Sequence, residues 1–365
     1  AVPVDNTTGY SYQFQNFGKT SNRGIELSLN FDVINKGDFR FNIGAIYNYN
    51  RNKLDELPNA DQYLYSSYWG SSSLVPTNDY MFVEGKAIGL VRGFVSEGFY
   101  TVNDFRYENG QYILKEGIPD ITKALTATYM HPFNIPNGQT AFPGAAKFRD
   151  VNNSGTVDLD DATCLGEVMP RHTGSFQLNF NYKNFDLSSN FNWTAGGKVY
   201  NVAAMINASG QEFDGIGAQR TSWVADTYKV YNVNSSGDLY AVTDPNELNA
   251  LNANAKYHLP YHQSGITSSE WLEDGSYLRL QTLTLGYTLP HTVLNKIHIE
   301  KLRIYLTATN LFTITGYSGI DPEVNATPTG QSGFYSNLRV FPTLNMDFGT
   351  YPRARTFTLG ANITF

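Results

Sequence analysis

Residues 150–161, DVNNSGTVDLDD, carry the clearest chemistry in the chain. Asp150, Asn152 and Ser154 supply side-chain oxygens at loop positions one, three and five, and Gly155 stands at position six, where the backbone must turn sharply. Thr156 offers its carbonyl at seven, and Asp158 and Asp161 fall at nine and twelve. A hard cation takes roughly six to eight oxygens at about 2.3–2.6 Å, and this alternation gathers them from one turn. The expected ion is calcium, in a structural role. Asp161 departs from the usual glutamate at the closing position and reaches less far. The competing reading is an Asx-rich turn held by its own hydrogen bonds.

Aromatic side chains are the second candidate. DQYLYSSYWG places Tyr63, Tyr65, Tyr68 and Trp69 in one long link. Aromatic faces pack on the apolar C–H faces of sugars, so these four are the expected substrate contacts. The alternative is packing of loop on loop or on a partner, and Trp223, Tyr228, Tyr231 and Trp271 carry the same two readings. His258 and His262 are four residues apart with Pro260 between them and no third ligand in view. One cysteine, Cys164, excludes an internal disulfide framework. The sequence presents no nucleophile–base order, phosphate-cradling loop or paired carboxylates, so no enzyme is expected.

The elements that must position these residues are strands. In RTFTLGANITF, Phe357, Leu359, Ala361, Ile363 and Phe365 oppose Thr356, Thr358, Gly360, Asn362 and Thr364, a period of two. GIELSLNFDV sets Ile25, Leu27, Leu29, Phe31 and Val33 against Glu26, Ser28, Asn30 and Asp32. FRFNIGAIYNYN, SFQLNFNY, FDLSSNFNW and LRIYLTATN repeat the split, and SYLRLQTLTLGYTL does so with a change of phase at Gln281 that predicts a bulge. Seven strands result. The bulk composition agrees: 365 residues, 25 Tyr, 23 Phe, 32 Gly, only 16% charged, and net charge −7 without basic runs, which speaks against nucleic acid.

Alternation is shared by soluble sandwiches and membrane barrels. The connections separate them. NKGD, Lys183-Asn184 and PHTVLNKIHIEK are short, whereas the links between them are long, the pattern of periplasmic turns and extracellular loops. Aromatic residues at the strand ends (Tyr47, Tyr49, Tyr182, Trp193, Tyr287) suit an interfacial girdle. This parity places residues 150–161 outside the cell. Seven strands leave open edges, which hydrocarbon does not tolerate, so further strands are required. Glu26, Asp32, Arg40 and Arg303 then face the lumen.

At this point a resemblance enters. NFGKTSNRGIELSLNF, FVEGKAIGLVRGFVSEGFY, KFRDVNNSGTVDLDDATCLGEVMPRHTGSFQLNFNYKNFDLSSNFNW, SYLRLQTLTLGYTLP, LRIYLTATNLFTITGYSGIDPEV and PRARTFTLGANITF resemble, in order, the C-terminal part of the SusC/RagA family of TonB-dependent outer-membrane transporters. The resemblance implies an all-β, 22-stranded transmembrane antiparallel barrel with long extracellular loops, of which residues 1–365 are the C-terminal portion with no separate domain inside it. It implies location in the outer membrane of a Bacteroidetes-type cell. Implied partners are the N-terminal remainder (plug and other strands), TonB acting through that remainder, a SusD-like surface lipoprotein serving as lid, membrane lipid, and an oligosaccharide or peptide substrate. In the family the aspartate-rich loop recurs here, with Gly and Asp usual where this chain has Asn153 and Ser154. The chain is therefore expected to start inside a longer product. The second function class is a calcium-stabilised surface module that binds glycans without transport and is stable in water.

Overall fold

Alternating faces become one seven-stranded antiparallel sheet in the computed structural model, which describes residues 2–3, 12–13, 18–57, 62–65, 74–126, 131–209, 225–259, 265–294, 299–324, 345–347 and 349–365. Its strands are β1 (Lys19–Lys36), β2 (Phe39–Glu56), β3 (His172–Tyr182), β4 (Phe185–Ala195), β5 (Tyr277–Thr288), β6 (Lys301–Thr315) and β7 (Thr356–Thr364), each beside its neighbour in sequence. Lys36 pairs with Phe39, which leaves Gly37-Asp38 as a two-residue turn. Gly37 has φ 57°, a left-handed conformation that a glycine adopts without steric cost. Tyr182 pairs with Phe185 across Lys183-Asn184 in the same way.

The expected irregularity at Gln281 is present. Adjacent residues Asn190 and Phe191 of β4 pair with Thr282 and Leu280, so Gln281 is the extra residue there, and against β6 Asn310 and Leu311 stand opposite Gln281 alone. It keeps Leu278 and Leu280 on the same face as Leu283 and Leu285. β1 carries a second shift, in which Asp32 opposes Asn42 and Ile34 opposes Phe41. Val33 is skipped, and Ile34 carries the apolar face onward.

That face is exposed and continuous. Phe357 and Leu359 are 65% and 76% exposed, and Leu27, Phe31, Leu285 and Leu306 lie on the same side. Phe41 stacks on Phe180 with ring centres 4.2 Å apart, and Phe176 on Phe191 at 4.5 Å. An apolar surface this wide would associate in water. Two aromatic rows bound it. Phe39, Tyr182, Phe185 and Tyr287 are cross-strand neighbours beside the short turns. Tyr47, His172 and Trp193 cluster at the long-link end, with Tyr47 Oη 2.8 Å from His172 Nδ1. The eight steps from Gly174 to Tyr182 rise about 3.3 Å each along a strand tilted about 40°, giving roughly 20 Å of height, which matches a hydrocarbon band.

The buried cores lie elsewhere, within the long links. One gathers Phe94, Tyr100, Phe142, Phe148 and Val157 with Tyr228, Leu248 and Ile266. The other gathers Tyr65, Tyr80, Val91, Val168, Tyr200, Trp271 and Met346 around a four-stranded sheet of Thr163–Glu167, Leu90–Gly93, Tyr80–Val83 and Gln62–Tyr65. Each core draws on more than one link, so the links interlock. Gly93 marks the tightest join: a Cβ there would lie 2.3 Å from the Thr267 carbonyl oxygen. Gly93→Ala is expected to destabilise this unit by about 1–3 kcal/mol through forced backbone movement. Faster amide hydrogen exchange at Phe94 and Tyr100 would report it, and unchanged exchange would refute it.

Candidate functional site

Loop 150–161 is ordered from within. Asp150 Oδ1 and Oδ2 accept hydrogen bonds from the Ser154 and Gly155 amides at 3.0 and 2.7 Å, and Asn152 Oδ1 accepts from Ser154 N at 2.9 Å. Asn153 and Gly155 have φ of 57° and 85°, which fold the chain back between these bonds. Ser154 Oγ donates to the Thr156 carbonyl at 2.8 Å. Asp158 Oδ1 accepts from Asp160 N and starts a short 3-10 turn, Leu159–Asp161. Asp161 is buried and its carboxylate accepts three backbone amides: Val151 and Asn152 on Oδ1, Asp158 on Oδ2. It therefore staples the two ends of the loop. Thr156-Val157 pairs with Asp120-Ile121, and Val157 sits in the first core, so the loop is tied to packed structure.

The aromatic candidates separate. Tyr65 is enclosed in the second core, its ring stacked on Phe82 at 4.7 Å, and burial together with the nearby Asp79 pushes its phenol above the usual range. Tyr63 is half-buried beside it on the same short strand. Tyr68, Trp69 and Trp223 lie outside the described residues. Tyr228 and Trp271 are core residues, whereas Tyr231 is exposed. His258 is buried, with Nδ1 2.6 Å from the Leu259 carbonyl and Nε2 3.5 Å from Glu270, and His262 lies outside the described residues. Among the described residues, no three His, Cys, Asp or Glu side chains gather to hold a metal.

The inner face of the sheet is a polar lattice. Asn42 Nδ2 donates to Asn30 Oδ1 at 2.8 Å and to Asp32 Oδ1 at 2.9 Å, and Thr284 and Thr307 hydroxyls meet at 2.9 Å. Arg303 grips Asp186 with two bonds of 2.9 and 2.5 Å and lies over the Tyr305 ring. Gly286 leaves the space, since a Cβ there would be 2.4 Å from Arg303 Nη2.

Further along β5, Arg279 is buried and serves two acids of the following link: Asp321 at 2.5 Å and Glu323 at 2.9 Å. Its Nε donates to Thr313 Oγ1 at 3.0 Å, and Arg353 binds the other oxygen of Glu323 at 2.6 Å. Sequence reasoning passed over this cluster. The signal available was an arginine on a strand's inward phase, with the acids of GIDPEV just beyond the partner strand.

Known proteins share this architecture. All of the chain aligns with TonB-dependent receptor P3 of Formosa agariphila at 28% identity over 363 residues, covering 30% of that protein. It aligns along its whole length with TonB-dependent receptor SusC of Bacteroides thetaiotaomicron at 24% identity, covering 28% of it. Along its whole length the chain is similar to TonB-dependent receptors of the SusC/RagA type. No family model matches it. A solved structure titled as the RagAB peptide transporter superposes on the whole chain with a TM-score of 0.62 at 20% identity and shows the same fold. The chain spans about 30% of the length of these receptors. The seven-stranded sheet is thus an arc of the receptor's transmembrane barrel, with the polar lattice on its inner side. No helix among the described residues is long and apolar enough to cross a membrane; in this receptor the strands do so.

Proposed function

We propose that this chain is the C-terminal portion, with no separate domain inside it, of an active importer that moves an oligosaccharide across the outer membrane. In this reading the plug and other strands come from the N-terminal remainder, TonB supplies the energy through it, and a SusD-like lipoprotein covers the extracellular mouth. The supporting observation is the inner face of the arc. Its row of amides, hydroxyls and a fixed ion pair (Asn30, Asn42, Thr284, Thr307, Asp186–Arg303) offers many weak hydrogen bonds, which suits a hydroxylated solute in transit. The names of the relatives add the receptor class, and the structural neighbours' titles name a peptide as their own cargo.

Deleting the gene and measuring uptake of labelled oligosaccharide and peptide pools, with and without TonB, tests the reading. Loss of TonB-dependent oligosaccharide uptake is the expected result. Loss of peptide uptake alone would move the cargo to peptides, and unchanged uptake of both would overturn import.

For loop 150–161 we propose a structural calcium ion held by Asp150, Asn152, Ser154, the Thr156 carbonyl and Asp158. All are hard oxygen donors, which fit this cation. Asp161 serves as the staple behind them, so the site has few free carboxylates and falls in the weak extracellular class, Kd about 10⁻⁴–10⁻³ M. Terbium luminescence on the purified receptor, competed by calcium, is the test. Asp150→Ala is expected to abolish the signal, and a wild-type receptor that gives no terbium signal, or one that excess calcium leaves unchanged, would refute the site. Of the aromatic candidates, Tyr63 and the neighbouring Tyr68 and Trp69 are proposed as sugar contacts, and Tyr65 as their support from within the core.

A further inference from the structure

On the outward face of the arc, just beyond the upper aromatic row, two arginines stand directly opposite one another: Arg23 of β1 and Arg51 of β2 are a register pair. No register shift separates Arg23 from Ile25 or Arg51 from Tyr49, so both continue the lipid-facing side by one step past the girdle. Like charges directly opposite on a sheet repel. Both are exposed, and among the described residues neither has an ion-pair or hydrogen-bond partner.

A third arginine adjoins them. The Arg171 carbonyl accepts from the amide of Asn50, which places Arg171 at the start of β3 beside the residue that precedes Arg51. Its guanidinium binds Glu167 through one nitrogen at 2.6 Å, leaving other N–H groups to a ligand. Beside it opens a cleft of about 290 Å³ lined by Arg171, His172, Glu167 and Gly197. In the outer membrane this height is that of the outer-leaflet headgroups, since it lies just past the upper aromatic row on the long-link side.

We propose that Arg23, Arg51 and Arg171 form a clamp for the phosphate group of a lipid in the outer leaflet. Guanidinium forks match phosphate oxygens in pairs, and a phosphate between Arg23 and Arg51 turns their repulsion into attraction. The lipid's acyl chains then run down over Tyr49, Leu27 and Phe31. A free phosphate has the same head chemistry but gains nothing from this apolar wall, so the membrane lipid is the occupant. The inference rests on the barrel's placement in the membrane and not on the cargo; uptake assays and the lipid assay fail independently.

The test uses the complete receptor purified in mild detergent. Native mass spectrometry should find a phosphate-bearing lipid retained by the wild type and roughly thirtyfold less in the Arg23→Gln/Arg51→Gln double variant, as two charges near the surface suggest. Arg106→Gln, on an exposed loop hairpin, should retain as much as wild type. Equal retention in the double variant would overturn the clamp. A second measurement needs no variant: delipidated wild type is titrated with phosphorylated lipid A, its dephosphorylated form, and inorganic phosphate. A saturable rise in Tm with the first alone is expected. An equal rise with the dephosphorylated lipid, a rise with inorganic phosphate, or no rise at all would each overturn the assignment.

Discussion

Arg279→Ala is expected to cost the receptor about 3–5 kcal/mol, more than removing any exposed ion pair of the chain, because it strands two carboxylates around a buried position. Asp321 is itself buried, and its partner lies at 2.5 Å. Removing the guanidinium leaves Asp321 and Glu323 close together with only Arg353, an exposed side chain, to offset them. The segment Tyr317–Val324 should detach, since Arg279 ties it to β5 and β6 through Asp321, Glu323 and Thr313. Proteolysis of the folded receptor would then cut within residues 316–324 well before any other described link. Arg279→Lys keeps a charge but not the three-way reach, so it should fall between wild type and alanine. Adding Asp321→Asn and Glu323→Gln to Arg279→Ala removes the uncompensated charges and should recover part of the loss. If the single alanine variant is as protease-resistant as wild type, the cluster does not anchor the link.

By contrast, exposed pairs such as Lys19–Glu56, at 3.4 Å with both side chains about two-thirds exposed, belong to the class worth roughly 0–1 kcal/mol. Burial decides the difference. The same geometry that makes Arg279 costly to lose makes it a poor candidate for contact with cargo, whereas Arg303–Asp186, on the open inner face, retains partial exposure.

How much of this was legible in the sequence follows from periodicity. The seven membrane strands alternate over long runs, and one face must meet lipid, so Phe357 through Ile363 or Leu178 through Tyr182 announce themselves. Gln281 was readable because the apolar phase flips around it. The shift at Val33 was not, because Val33 and Ile34 are both apolar and either phase satisfies the pattern. The link cores were opaque for another reason: their strands are mostly two to five residues long, too short for a period, and their partners are distant, as with Tyr100 and Tyr228 in one core. Tyr65 illustrates the consequence, since a tyrosine in a polar link reads equally as ligand contact and as core. Arg23 and Arg51 were within reach, because each shares the parity of a lipid-facing neighbour. An arginine on that parity is out of place unless the strand has already left the hydrocarbon. Asp161 reads as a ligand from spacing alone, and its three backbone amide bonds add a stapling role that spacing does not show.

Leu285→Arg provides the sharpest test of which face meets lipid. Leu285 lies on β5 between Leu187 of β4 and Leu306 of β6, two residues along the strand from the lower aromatic row at Tyr287. It is 48% exposed, so about half of its surface faces away from the chain. If hydrocarbon covers it, a guanidinium there has no water and must bend toward the headgroups, a penalty between the about 2–4 kcal/mol of the midplane and the roughly 0–1 kcal/mol of the interface. Thr284→Arg, one residue away, points the same charge into the polar lattice beside Thr307, where it remains hydrated. The expected result is therefore a large asymmetry between adjacent positions. Leu285→Arg should lower the yield of heat-modifiable, folded receptor in membranes, and Thr284→Arg should leave the yield near wild type while altering passage through the lumen. Equal effects at both positions would mean that both faces are wet, and the sheet would then be no part of a membrane wall. The reverse asymmetry would turn the barrel inside out, placing the lattice of Asn30, Asn42 and Thr307 against lipid, where its amides and hydroxyls have only one another as partners.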